Sequence, residues 1–230
     1  MKGVIGLHTS SSSPKSINES GVFSVLFHQV MPSTSTSLFI NPSAKEWTAP
    51  KTGFAAQARQ FHRSFPGYAC TPLTELPEIA RELGVKRVLL KNESSRLGLP
   101  SFKILGASWG TFRAIAEQYG LPLTSSIETI KDALQTKPIV LYAATDGNHG
   151  RAIARMGATL GIRVEIYVPR GMHPQTIEYI TSEGARVTQT NGSYDDAVDA
   201  AHKAAESENG MLVQDTAFPR YEQIPAVSTL

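Results

Sequence analysis

The chain has 230 residues, 41% of them hydrophobic and 18% charged, a composition that suits one globular unit or two small ones. Its 22 basic and 20 acidic residues leave a formal net charge of +2, which argues against a nucleic-acid partner, and no stretch is long and apolar enough to span a bilayer. Cys70 is the single cysteine, so an intrachain disulfide is excluded and a reducing, cytoplasmic compartment is expected.

Residues 1–57 read as an unstructured extension, with serine-rich runs at 10–13 and 33–37 and no arginine before Arg59. Order is expected from Ala58. A short helix is predicted over Leu76 to Leu83, closed by Gly84, followed by a strand over Val85 to Lys91. Gly98 and Pro100 mark a turn-rich link. Ile104, Ser108, Phe112, Ile115 and Tyr119 then recur at helical spacing until Gly120-Leu121-Pro122 stops the helix.

A second helical stretch is predicted over Ile127 to Leu134 and a buried strand over Pro138 to Ala144. Next come a helix from Asn148 to Leu160, a strand from Arg163 to Val168, a helix from His173 to Ser182 and a strand from Arg186 to Gln189. A helix from Tyr194 to Glu206 and a strand from Met211 to Gln214 complete the series. Strands that alternate with helices of this length imply an α/β fold, a parallel sheet with right-handed crossovers and helices on both faces. Ligands bind such sheets at the carboxyl ends of the strands. The loop 145–150 and Asp215 both fall at such ends.

Two places carry chemistry. Lys103 stands in the first turn of its helix, where the positive end of the dipole opposes an ammonium, and a lysine that attacks a carbonyl needs its neutral amine. The segment Thr145-Asp146-Gly147-Asn148-His149-Gly150 joins a strand to a helix, with glycines for a close backbone approach and helix-start amides suited to an anion. Asp146 equally suits a helix cap, and Ser193 with Asp196 fits a capping box. The loop matches neither the dinucleotide fingerprint nor a phosphate-binding P-loop. No metal-ligand spacing is present.

Ser101-Phe102-Lys103 followed by Gly106-Ala107, with Gly147-Asn148-His149-Gly150 further on, resembles the fold-type II pyridoxal-phosphate enzymes. Further segments resemble the diaminopropionate ammonia-lyase branch. These are Ala58-Arg59-Gln60-Phe61-His62, Lys91-Asn92-Glu93-Ser94, Arg96-Leu97-Gly98-Leu99, Asp146 in place of a serine, and Val213-Gln214-Asp215-Thr216-Ala217. The resemblance covers about residues 55–225. It implies that Lys103 bonds the aldehyde of pyridoxal 5'-phosphate and that Asn148 hydrogen-bonds the cofactor's 3-hydroxyl. It further implies that the loop of Thr145, Gly147 and His149 holds the substrate α-carboxylate, with Lys103, Asp146 and Asp215 catalytic. His149 otherwise reads as a packed residue, outside the proton chemistry.

The implied reaction is β-elimination of ammonia from 2,3-diaminopropionate, a small amino-acid substrate, in what is a homodimer for the full-length family. A threonine or serine dehydratase and a non-catalytic α/β domain that pairs with a partner are the alternatives. The resemblance also implies a small domain over 103–216, preceded by part of a larger domain over 58–102 and followed by its continuation at 217–230. The family's glycine-rich phosphate loop has no counterpart in these residues. The expectation is therefore a C-terminally truncated chain with weak cofactor affinity and impaired activity. The Val85 to Leu90 segment is expected to expose an apolar edge.

Overall fold

Thirteen elements appear in the computed structural model, which describes Glu46 and residues 53–206, 209–219, 221, 222, 224 and 225. The expected extension thus falls almost wholly outside the described residues. Its last part does not: helix α1 runs Ala55–Ser64, starting ahead of the expected boundary. Strand β1 (Leu73–Glu75), helix α2 (Pro77–Glu82) and strand β2 (Leu89–Lys91) come next. Helices α3 (Lys103–Gln118) and α4 (Ile127–Thr136) then lead to strand β3 (Val140–Ala144). The remainder alternates: α5 (Asn148–Leu160), β4 (Arg163–Val168), α6 (Pro174–Ser182), β5 (Arg186–Gln189), α7 (Tyr194–Ala205) and β6 (Gly210–Leu212).

The sheet has the order β5-β4-β3-β6 and every pairing in it is parallel. Its central strand is apolar throughout because both faces are covered. Leu141 and Ala143 point into the larger core, with Val164, Ile166, Ile153 and Phe112, while Tyr142 and Ala144 point to α7, against Ala197 and Ala201. Small residues on α7 let that helix lie close to the sheet. Burial of the larger core supplies most of the folding drive, at roughly 25 cal/mol for each Å² of apolar surface removed from water.

The segment ahead of Lys103 joins that core. Phe61 of α1 lies 4.6 Å, centroid to centroid, from Phe112 of α3 and 5.6 Å from Trp109. Leu97 and Leu99 are buried in the same cluster. Arg96 clamps the strand-to-helix link: its Nε and Nη2 donate to Glu93 at 2.6 and 2.8 Å, Nη2 also donates to Thr71 Oγ1, and Nη1 donates to the Ala69 carbonyl. Arg155 of α5 donates to the Leu97 carbonyl at 3.1 Å. The backbone that delivers Lys103 is therefore held at consecutive residues.

Two strands differ from the sequence reading. The expected strand over 85–91 shrinks to β2, because the Gly84 and Val85 amides still donate to α2 carbonyls and only residues 89–91 reach β1. β1 itself was not expected; it is three residues long and wholly exposed, so no burial alternation marks it. β6 stops at Leu212 rather than Gln214, since the next donor on β3, the Ala144 amide, is taken by the Gln214 side chain. The expected apolar exposure is present and wider than an edge: Leu73, Ile79, Leu83, Val85, Leu89 and Leu90 are all exposed.

Candidate active site

Lys103 begins α3 without a side-chain cap, its amide bonded to Ser101 Oγ. Its Nζ donates to Asp215 Oδ2 at 2.5 Å. The expected conflict between an ammonium and the helix dipole is thus offset by a carboxylate from beyond the far strand β6. Both side chains line a cleft of about 690 Å³ together with Asp146, Gly147, Asn148 and Tyr194. The cleft opens at the carboxyl ends of β3 and β6, where a parallel sheet presents its ligands.

The loop between β3 and α5 is built by Thr145, which is buried. Its Oγ1 accepts from the Gly147 and Gly150 amides, each at 2.9 Å. Gly147 has φ of 153°, a conformation L side chains rarely adopt, and a Cβ on Gly150 would lie 2.4 Å from Thr145 Cγ2. Both glycines are therefore required by the turn. With Gly147 and Gly150 satisfied, the Asn148 and His149 amides are the helix-start donors that have no partner among the described residues. Asp146 is exposed and caps nothing: Gly147 occupies the cap position, and the first-turn amide of Gly150 is taken by Thr145. The Ser193–Asp196 capping box, in contrast, forms at the start of α7.

At the exit of β6 each freed backbone group finds a side chain. The Ala144 amide donates to Gln214 Oε1 at 3.0 Å, and Gln214 Nε2 donates to the Tyr194 hydroxyl at 2.8 Å. The Gln214 amide donates to the Tyr221 hydroxyl, which itself donates to the Leu212 carbonyl. His149 Nε2 donates to the Val213 carbonyl at 2.8 Å. This splayed end turns Asp215 towards Lys103.

The electrostatics follow from burial and charge. Burial raises the Asp215 carboxyl, but the His149 and Lys103 cations more than offset it and hold it below the usual carboxylate range. Burial holds the His149 imidazole below its ordinary value, against the pull of Asp215. Tyr194 is raised by burial and then by Asp215, which keeps its phenol protonated.

The sequence-level site residues meet here: Lys103, Thr145, Asp146, Gly147, Asn148, His149 and Asp215 all line the one cleft. Two of them are committed elsewhere, since the Thr145 hydroxyl and the His149 ring hold backbone groups. Tyr194, Gln214 and Arg151 escaped the sequence reading. Arg151 packs its guanidinium over the Tyr179 ring and donates to Glu183 at 2.8 Å on the cleft wall. A glutamine directly after the apolar run Met211-Leu212-Val213 was the available signal for Gln214.

Residues 65–226 match the family model described as pyridoxal-phosphate dependent enzyme. Diaminopropionate ammonia-lyase of Escherichia coli K12 is 39% identical over 172 residues, which cover 74% of this chain and 43% of that protein. L-threonine dehydratase of Corynebacterium glutamicum is 29% identical over 149 residues, covering 64% and 30%. The crystal structure of the E. coli diaminopropionate ammonia lyase with D-serine superposes with a TM-score of 0.72 at 37% identity, covering 77% of this chain and 45% of that one. Its apo form gives 0.70 at 36% identity, covering 77% and 48%. The chain thus spans less than half the length of these relatives. On the extent of the family match, the chain belongs to the pyridoxal-phosphate dependent enzymes.

Proposed function

We propose that this cleft binds pyridoxal phosphate through Lys103 and removes ammonia from 2,3-diaminopropionate, releasing pyruvate and a second ammonia. The observation that carries the reading is one primary amine and two carboxylates, Asp146 and Asp215, on the wall of a single cleft. The donor set fits the cofactor. Lys103 offers a partly exposed amine for the aldehyde, and Asn148 carries an exposed amide on the same wall for the 3-hydroxyl. When bound, the cofactor supplies an electron sink for the pair left on the substrate Cα.

The chain's own residues do the rest. The Asn148 and His149 amides, at the positive end of α5, hold the α-carboxylate. Asp146 has no competing partner among the described residues, so it is available to take the Cα proton on one face. The Lys103 amine, once released, serves the other. A carboxylate pair also favours a substrate with a β-ammonium group over one with a neutral hydroxyl, which sets this reading ahead of a threonine or serine dehydratase. The same reading carries a homodimer, from the family resemblance, and a cytoplasmic setting, from the lone Cys70.

Titrating the protein with pyridoxal phosphate tests the first step. A visible absorption band that is absent from Lys103→Ala supports it, and no band in either protein sinks it. Keto-acid release from diaminopropionate but not from threonine then separates the two lyase readings.

A further inference from the structure

We propose a second ligand site at the opposite end of the sheet from the cleft, suited to an α-amino acid with an apolar side chain. A cavity of about 720 Å³ opens there, where β3, β4 and β6 begin and where α4 and α5 end. A parallel sheet presents its ligands at the carboxyl ends of its strands, so the chemistry of Lys103 and the 145–150 loop gives this cavity no role. Its volume falls within the range of small-molecule sites.

Positive charge comes from one side. Lys131 of α4 and Arg163 of β4 line the cavity, and among the described residues no carboxylate does. Their acidic partners lie outside it and hold them loosely. Lys131 Nζ stands 3.3 Å from Glu128, an exposed residue. Arg163 Nε stands 3.6 Å from Glu165, beyond hydrogen-bond length, and Glu165 is shared with Arg186 at 3.8 Å. One carboxylate thus faces two guanidinium groups, and the donor fork of Arg163 is open to a ligand carboxylate.

The helix ends supply the opposite sign. The Leu134 and Gln135 carbonyls of α4 and the Thr159 and Leu160 carbonyls of α5 have no hydrogen-bond partner among the described residues. Neither helix carries a basic residue in its last turn, so the negative ends of both dipoles go uncompensated by their own sequence. An ammonium group suits those carbonyls. The rest of the lining is apolar: Leu134, Ile139 and Leu160 are buried core residues, and Val140 and Ile162 are half-buried beside them.

A free α-amino acid carries carboxylate, ammonium and apolar chain in one molecule. A fatty carboxylate or a simple amine satisfies one pole and is repelled by the other. Helix α5 spans both sites, with Asn148 and His149 in the cleft and Thr159 and Leu160 in the cavity, so its two ends report which site a ligand occupies.

Leucine is the test ligand, with isocaproate and isoamylamine as the same chain lacking one pole each. Amide NMR of the whole chain, without cofactor, follows each titration. We expect leucine to saturate at roughly millimolar concentration, the strength of a ligand of so few atoms. Its shifts should centre on residues 134–140 and 158–163. Each analogue should bind about fivefold more weakly or worse, the scale of one partly exposed charge contact. Lys131→Gln with Arg163→Gln should weaken leucine by roughly tenfold, about the value of one charge-assisted hydrogen bond. Neither side chain is buried, so the double variant keeps the fold, and its unbound spectrum checks this. No saturable shift, shifts centred on residues 145–149, equal affinity for the three compounds or undiminished binding by the double variant overturns the site. None of these readouts involves the cofactor, so the proposed function stands or falls separately.

Discussion

Lys103 and Asp215 stand 112 residues apart in the chain and meet at 2.5 Å. One opens a helix packed against α5; the other follows the sheet's last strand. Their contact exists only because the parallel order brings the ends of β3 and β6 side by side, with Thr145 and Gln214 shaping the two exits. The ion pair has a consequence for acid stability. Asp215 titrates below its unfolded value, so its contribution is complete above about pH 4 and is lost as pH falls through the folded value. Urea unfolding of Asp215→Asn should show a shallower loss of stability than the parent on acidification below about pH 4. An identical slope would contradict the pairing.

Two imidazoles, the half-buried His62 and the buried His149, act in a higher window. Burial lowers both His62, which bonds the Leu105 carbonyl, and His149. The unfolded chain binds protons at these sites from about pH 6.5 downwards while the folded chain does not, so stability rises with pH across that range. Denaturant midpoints at pH 5 and pH 7 should differ in that direction, and the difference should narrow in His62→Gln.

Thr145 holds the loop by one oxygen. Replacing it with valine keeps the shape but leaves the Gly147 and Gly150 amides unpaired, at a cost of about 1–3 kcal/mol for the buried Gly150 donor and less for the half-buried Gly147. Thr145→Ser should recover most of that. Thermal midpoints of the two variants decide it, with equal losses ruling out the hydroxyl's role.

Breaking the Arg96–Glu93 clamp should be severe. Arg96→Met leaves Glu93 with Lys91 at 4.0 Å as its remaining ion-pair partner among the described residues, and because Glu93 is only half-buried the loss should approach but not reach the roughly 3–5 kcal/mol of a fully buried pair. Calorimetry would show the lowered midpoint. Amide exchange should quicken over residues 96–102 before the rest of the fold opens.

The exposed apolar residues around β1 and α2 make the opposite prediction. Leu83→Glu with Leu90→Lys removes no buried contact, so stability should change by no more than about 0.5 kcal/mol for each. Light scattering at high concentration should fall, since a contiguous apolar surface favours association.

The alternation from 138 to 214 was legible because each helix repeats its apolar residues at helical spacing and each strand is a short apolar run. α5, β4 and β5 begin and end where the sequence placed them. Around residues 55–91 the reading was weaker for a physical reason. α1 buries only Phe61, and β1 and β2 bury nothing, so neither period is imposed on the sequence. The site divides the same way. Lys103, Asp146 and Asp215 lie in recognisable local patterns. Gln214 and Tyr194 matter because of hydrogen bonds to segments remote in sequence, which no local pattern reports.

Tyr221 sets a limit on how far the reactive pair can be pared down. Its hydroxyl ties the Leu212 carbonyl to the Gln214 amide, straddling the turn out of β6. The smallest portable piece that keeps Asp215 aimed at Lys103 therefore extends past the last strand to that ring. Anyone transplanting the pair into another parallel sheet must bring the phenol too, or redesign the turn so that some other hydroxyl closes it.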